Sequence, residues 1–542
     1  RVSDAGPAPR LMPVVVPADA NGARGGFLSG RHVYLSQGHG WTWTETSSWQ
    51  GWRTQRGNNW GAVEDFLNAE AIDQYLLAYL ERAGATVWPM REVDMNPHMV
   101  IIDDGDGAQN PSQGRYEELG EGFQDSTAPG FQRMEGPLEA GENPLTAGGS
   151  RVHYASPLGG AYARWIPQIP AAGRYRVTIS WAASDNRTPD AHVIVRHAGG
   201  ERHLRVDQRR HGNTWVSLGT YAFLLGSDPE RGAVEIHTDS EAAPGDSYVS
   251  LDAVRFGGGR GLVRRGEGTA ASDTPTSERP RYEESCRYAA QFNGAPESVY
   301  DYRDADGSDD VVARSRYAAW QHESGEDAIY VSWHTNAPAP GRGTSSYVYG
   351  PNGPPSPFSE FSGAPDGDLL AQFLHQEILN DIANGYDASW KDRGLHSAWF
   401  GELNPEHNPE MPAALIEVGF HDTEDECLQL QDPKLRNLVA RAFYQGIARY
   451  FASRDGQEVR LLPEPPRAVR VEALGSERAR LSWLPPAADD GGAVFGDAAS
   501  GFIVYRSVDG QAFDEGTPVG GVTSVELDAP FGKVHYFRVT AV

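Results

Sequence analysis

The hydrophobic pattern of this chain changes period twice, and that restricts its fold more than any other feature. From 31 to 104 it reads strand, helix, strand. His32–Ser36 is a short apolar run ending in Gly38-His39-Gly40. Val63–Ala83 places Phe66, Leu67, Ile72, Leu76, Leu77 and Leu80 mostly at helical spacing, Gly84 stops it, and "ATVWPMRE" is a second strand. From 151 to 257 the period is two, in "RYRVTISW", "AHVIVRH", "WVSLGTYAF", "AVEIHTD" and "VSLDAVRF". Short strands separated by turn residues predict a β-sandwich. From about 286 the first pattern resumes, with helix Val311–Glu323, strand Ala328–Trp333 ending at His334, helix Leu369–Ala383, strand Ala413–Val418 and helix Leu435–Phe451. The sandwich is therefore expected as an insertion within one α/β domain, a unit that could be excised.

Beyond the Pro-rich "LLPEPPRAV", the runs "RARLSWLPP", "GFIVYRS" and "VHYFRVTAV" predict a second, smaller sandwich. The expected organisation is an N-terminal arm (1–30), a first α/β part (31–104), an inserted sandwich (105–260), a linker (261–285), a second α/β part (286–455) and a C-terminal Ig-like sandwich (464–542). The fold class is thus multidomain: a mixed sheet flanked by helices, plus two β-sandwiches.

Composition narrows the function. With 542 residues, 39% hydrophobic and 10% aromatic, the chain can build several packed cores. Its net charge of −27 argues against nucleic acid, whose phosphates need a basic footprint. No apolar run approaches the roughly 18 residues of a membrane span. Of 47 basic residues all but Lys391, Lys434 and Lys533 are Arg, from which no function follows. Two cysteines, Cys286 and Cys427, exclude a disulfide-stapled scaffold and a cysteine-built zinc site. They are either two buried thiols or one bridge. The start at Arg1 fits a mature exported chain or a trimmed one.

Polar residues fall where a site is expected. In open α/β sheets, sites gather beyond the carboxyl ends of strands. His39, His334 and Glu417 each sit at such an end, and Glu64 opens the helix after the His39 loop. Two His and a Glu suffice to hold a catalytic zinc ion, and a second Glu can serve as general base. Each residue alone could equally cap a strand, and no HExxH-type spacing supports the set.

Four blocks occur in order: "VYLSQGHG", "VEDFLNAEAIDQYLLAYLERAGATVWPMREVD", "RSRYAAWQHESGEDAIYVSWHTNA" and "KDRGLHSAWFGELNPEHNPEMPAALIEVGFHD". Together they resemble the zinc-dependent N-acetylmuramoyl-L-alanine amidase family, over roughly 30–104 and 310–452. The resemblance implies His39, Glu64 and His334 as zinc ligands and Glu417 as the catalytic carboxylate. Arg393 in "DRGL" matches a basic position suited to substrate carboxylates, or makes a surface ion pair. Glu70 competes with Glu64, but "EDFLN" aligns with the family's "EKDLN". Ser36 and Gln37 stand where the family usually has Asp-Pro, so a carboxylate supporting His39 is expected to be missing. His421 and Asp422 replace a Ser-Asn pair; His421 is expected as a loop residue or a proton-transfer group. The aromatic cluster Trp41, Trp43, Trp49, Trp52 and Trp60 is either a wall for sugar rings or packing.

The insert resembles golvesin-like domains through "ARWIPQIPAAGRYRVTISW", "NRTPDAHVIVRHAGG", "VDQRRHGNTWVSLGTYAF" and "LDAVRF". Its Trp165, Trp181 and Trp215 either stack on sugars or pack the core. The C-terminal part resembles a fibronectin type III domain through Trp483, Tyr505 and Tyr536. These resemblances imply a monomeric, secreted or periplasmic enzyme of the bacterial envelope, acting on peptidoglycan at the amide between N-acetylmuramic acid and L-Ala. A wall-binding protein with an impaired enzyme core, or another zinc peptidase, remains the alternative. Nothing suggests the carboxylate pair of a glycosidase.

Overall fold

The computed structural model describes residues 11, 13–18, 26–105, 112–134, 136–241, 247–266, 276–352, 356–487 and 496–542. Much of the expected arm (1–30) and part of the expected linker (261–285) lie outside the described residues.

Seven strands form one mixed sheet, in the order Ser356–Pro357, Asp392–Ala398, Thr344–Tyr349, Ala413–Phe420, Asp327–Asn336, Arg31–Ser36 and Thr86–Pro89. The last four are mutually parallel, whereas Thr344–Tyr349 runs antiparallel to Ala413–Phe420. Asp327–Asn336 is buried except at its two ends, as a parallel strand covered on both faces must be. Alternation assigns the faces. Val33, Leu35, Ile329, Val331 and Ile416 pack beneath the helical segment Glu64–Arg82 and the helices Gly367–Gly385 and Pro433–Asp455. Tyr34, Tyr330 and Leu415 face the other way, towards the helices Cys286–Phe292 and Asp306–Gln321 and the inserted sandwich. The helix expected over Val63–Ala83 contains a π-turn at Ile72–Leu76. That extra residue accommodates the five-residue step from Ala71 to Leu76, so both side chains stay on the buried face.

The insert has a small antiparallel sheet of Tyr248–Leu251, Arg151–Tyr154 and Gln124–Asp125 and two larger antiparallel sheets that share one core. One has the order Val15–Pro17, Gly200–Val206, Ala191–His197, Ala233–His237, Tyr162–Pro167, Gly114–Leu119. The other has Val216–Phe223, Gly173–Ile179, Val254–Phe256, Val100–Ile102. Val15–Pro17 comes from the expected arm and Val100–Ile102 from the expected first α/β part. Both are too short to show a period, and pairing alone makes them strands. Trp165, Trp181 and Trp215 are buried, so packing rather than sugar stacking is their role.

This sandwich is fused to the seven-stranded sheet. Trp165, Val193 and Val254 belong to the same apolar cluster as Tyr34, Trp88 and Tyr330. Glu92 accepts from Arg255 at 2.6 Å and Arg281 at 3.1 Å, and Arg176 pairs with Glu81 at 3.0 Å. Excision would uncover that cluster and leave Glu92 without one of its two arginines.

The C-terminal part is two three-stranded sheets around Leu481, Trp483, Phe502, Val504 and Val539. Cys286 and Cys427 are separate buried thiols, which removes the bridge. No described helix is long and apolar enough to cross a membrane.

Candidate metal centre

His39 follows the strand Arg31–Ser36 in a loop held against main chain. Gly38 has φ +71°, and a Cβ on Gly40 would lie 2.6 Å from the backbone nitrogen of Ser285. That explains the glycines on either side of the histidine. The buried guanidinium of Arg91 donates to the carbonyls of His39, Gln37 (3.2 Å), Asp65 (2.9 Å), Glu284 (2.9 Å) and Tyr282 (2.5 Å). It joins the His39 loop to the start of the Glu64 helix. Glu64 is the first residue of that helix. His334 lies within the strand Asp327–Asn336, and its register partner on the parallel strand Ala413–Phe420 is Glu417. Both strands run two or three residues further than expected, so these residues project from near the carboxyl ends of two central strands rather than from loops.

The ligand atoms of His39, Glu64 and His334 all lie within 4.8 Å of one another, and all three residues are buried. Glu417 lines the same cleft of ≈ 300 Å³, together with Arg56, Arg314, Glu402 and His421. A larger cavity of ≈ 860 Å³ between insert and sheet holds none of the four.

Charge in the cleft is arranged around the histidines. His334 Nδ1 is 3.2 Å from Glu64 Oε1, and its Nε2 is 3.1 Å from Glu402 Oε2. Burial opposes charging the ring, but Glu402 and then Glu64 overcome it and raise its pKa to about 10. His39 is driven well below the usual range, first by burial and then by Arg314, whose Nη2 donates to its Nδ1 at 3.0 Å. Arg56 Nη2 is 3.0 Å from His39 Nε2, and its Nε donates to Glu64 Oε2 at 3.1 Å. Burial disfavours the Glu64 carboxylate, yet the histidines hold it ionised, well below its ordinary pKa. Burial pushes Glu417 up to about 7 against the pull of His334. Its Oε2 has no hydrogen-bond partner among the described residues. Two imidazoles, a carboxylate and an unpartnered buried carboxyl oxygen form a donor set that fits a zinc-class ion.

The structure adds groups that sequence reasoning missed. Glu402 accepts from Ser36 (2.7 Å), Ser332 (2.6 Å), Tyr330 (2.8 Å) and Arg314 (2.6 Å) as well as His334. It restores, from a distant loop and towards His334, the supporting carboxylate expected to be missing. Only its place inside the block "WFGELN" hinted at it. Arg314, fully buried on the helix Asp306–Gln321, links Glu402, Asp310 and His39. His421 is buried, with Nδ1 3.1 Å from Thr335 Oγ1 and 3.6 Å from Glu64 Oε2.

Other expected residues separate. Glu70 pairs with Arg436 at 3.0 Å, away from the triad. Arg393 is exposed, its guanidinium 4.9 Å above the Phe420 ring, and is not among the residues lining the cleft. Of the tryptophans, Trp43 is buried edge-on to Trp52 at 5.9 Å, while Trp49 and Trp60 are exposed. The cluster is part packing and part surface.

Two regions of the chain match known families. Residues 286–449 match the family profile for N-acetylmuramoyl-L-alanine amidase, and residues 136–258 match that for the golvesin C-terminal domain. A germination-specific N-acetylmuramoyl-L-alanine amidase of Bacillus subtilis (strain 168) is 27% identical over 162 residues, 30% of this chain and 58% of that protein. A xanthan lyase of Bacillus sp. (strain GL1) is 46% identical over 92 residues, 17% of this chain and 10% of that protein. The solved catalytic domain of an N-acetylmuramoyl-L-alanine amidase from Bacillus (Paenibacillus) polymyxa var. colistinus is 25% identical, covering 23% of this chain and 57% of that one, with a TM-score of 0.18. The chain spans less than two thirds of each of these relatives. The amidase profile begins after the insert, and the sheet is what brings the earlier His39 and Glu64 to it. The chain thus carries one region that matches the N-acetylmuramoyl-L-alanine amidase family and another that matches the golvesin C-terminal domain.

Proposed function

We propose that the protein is a zinc-dependent peptidoglycan hydrolase, cleaving the amide between N-acetylmuramic acid and L-Ala of the stem peptide. The observation that carries this reading is the convergence of His39, Glu64, His334 and Glu417 in one cleft. His39, Glu64 and His334 would hold the ion, which when bound supplies positive charge to acidify water and polarise the scissile carbonyl. Glu417 takes a proton from the attacking water and returns it to the amide nitrogen as the C–N bond breaks, so one carboxylate serves both transfers. Burial, which raises its affinity for a proton, suits it to this. Glu402 orients His334, and Arg314 ties Glu402 to His39. Arg393, beside the cleft on Phe420, would meet a stem-peptide carboxylate remote from the cleaved bond.

The organism's envelope, outside the cytoplasm, is where such a substrate lies. We assign the C-terminal sheets to the fibronectin type III class on the spacing of Trp483, Tyr505 and Tyr536. The test is incubation with purified peptidoglycan: stem peptide with a free L-Ala amine should be released, and chelation should abolish it. New amines within the stem would indicate another zinc peptidase, and no release would indicate a wall-binding protein.

A further inference from the structure

We propose that His32, His211 and Glu326 form a second site for a zinc-class divalent ion, tying the inserted sandwich to the catalytic sheet. The inference stands apart from the catalytic reading. His32 is the second residue of the strand Arg31–Ser36, and Glu326 immediately precedes the strand Asp327–Asn336. Beyond its other end the first strand leads into the His39 loop, and the second carries His334 near its other end. The third group comes from the insert, in the turn after the strand Gly200–Val206.

The ligand atoms of the three residues lie within 4.8 Å of one another. Glu326 Oε1 is 2.6 Å from His211 Nε2 and 3.4 Å from His32 Nδ1. All three are buried, the Glu326 side chain completely. Its second oxygen accepts from the Tyr34 hydroxyl at 3.2 Å and the Glu323 backbone N–H at 3.2 Å. The carboxylate is therefore anchored from behind, as metal-binding carboxylates are, with the other oxygen aimed at the two imidazoles.

The backbone supports a built site. His211 has φ +52°, a left-handed conformation that costs a non-glycine residue roughly 1–3 kcal/mol and clusters at functional positions. Its N–H donates to the Glu323 carboxylate at 2.5 Å, and its ring stacks on Trp88 with centroids 4.4 Å apart. The strain delivers an imidazole from one unit onto a carboxylate of another.

Donors already crowd these acceptors. Trp88 Nε1 is 3.1 Å from His32 Nδ1, and Arg210 Nη1 is 3.4 Å from Glu326 Oε1. Both must yield to an ion, and they are the terms that oppose its binding. The ring of His32 is fully buried. Its Nε2 is buried without a hydrogen-bond partner among the described residues. At His211 the ion takes the place of the contact that now joins Nε2 to Glu326 Oε1 at 2.6 Å. Two imidazoles and one carboxylate select zinc over calcium or magnesium, which prefer oxygen alone. Burial away from the cleft makes the site structural.

The experiment is zinc stoichiometry by elemental analysis on the full chain, stripped with chelator and reloaded with zinc alone. The wild type should bind two equivalents, His211→Ala one, and the double variant His39→Ala/His334→Ala one. Glu326→Gln should repeat the His211→Ala result should that variant fail to fold. One equivalent in the wild type that vanishes in the His39/His334 variant overturns the proposal, leaving the cluster as a hydrogen-bonded latch. Two equivalents in both His211→Ala and Glu326→Gln also overturn it. One equivalent in the wild type that survives the His39/His334 substitutions but not His211→Ala supports this site while refuting the catalytic one.

Discussion

His334 and Glu417 are register partners on adjacent parallel strands. A proposed metal ligand and a proposed general base are therefore held at neighbouring positions by backbone hydrogen bonding, not by loops. Loop changes elsewhere should leave their spacing intact, whereas changes to what touches them should not.

Glu402 is the clearest such contact. Replacing it with Ala removes the acceptor at His334 Nε2 and one carboxylate of the buried Arg314. Outer partners of metal ligands are worth about 10–100-fold in affinity, and breaking a buried pair costs about 3–5 kcal/mol. Zinc affinity by chelator competition should fall by that factor, and the melting temperature should drop. Glu402→Gln should recover part of the stability, since it keeps an acceptor oxygen, but less of the affinity.

Gly40→Ala tests the loop. Its new Cβ would meet backbone atoms of residues 283–285 at 2.6–2.8 Å, which no side-chain rotation relieves. The loop must shift, at about 1–3 kcal/mol, and His39 with it. Zinc affinity should fall more than for Gly57→Ala, where a Cβ meets nothing within 4 Å. Equal affinities would show that the loop position is not what sets His39.

The sheet could be read from the sequence because strands and helices long enough to show a period carry it, whereas His39, Glu64, His334 and Glu417 stand out as a candidate site only by their places at element ends and by the family resemblance. Glu402 and Arg314 do not stand out. Glu402 lies in the three-residue turn Gly401–Leu403 rather than in a periodic element, and an arginine on a helix ordinarily reads as surface. The junctions were also obscure. Val15–Pro17 and Val100–Ile102 are three residues each, and only their partners from distant sequence define them. The insert looked separable because its strands alternate cleanly, and nothing local reveals that Trp88 and Tyr34 lie against it.

Deleting 105–260 is accordingly expected to destabilise the catalytic part. Trp88 and Tyr34 would lose their cover, and burying one such ring is worth about 1.5–3 kcal/mol. The measurement is solubility and thermal unfolding of the deletion variant. A soluble product with the wild-type transition temperature would show that the two units are independent.

Acid should weaken the same junction. Burial opposes ionising Glu92, but Arg255 and Arg281 hold its pKa at about 2 against an ordinary 4.5. A depressed carboxyl contributes above its unfolded pKa and loses that contribution as pH falls towards the folded value, here about 3 kcal/mol between roughly pH 5 and 2. Glu92→Gln should be less stable than wild type at pH 7, and the gap should close through that window. A gap independent of pH would mean that packing, not charge, is what Glu92 provides.

The general-base assignment is tested most directly by Glu417→Gln, which keeps size and one acceptor oxygen but cannot carry the proton. Bound zinc, melting temperature and release of stem peptide from purified peptidoglycan are measured on the same preparation. The account predicts unchanged zinc, a melting temperature close to wild type and release reduced by about 10²–10⁴-fold or more. Undiminished release would contradict it, and lost zinc would make Glu417 a ligand instead.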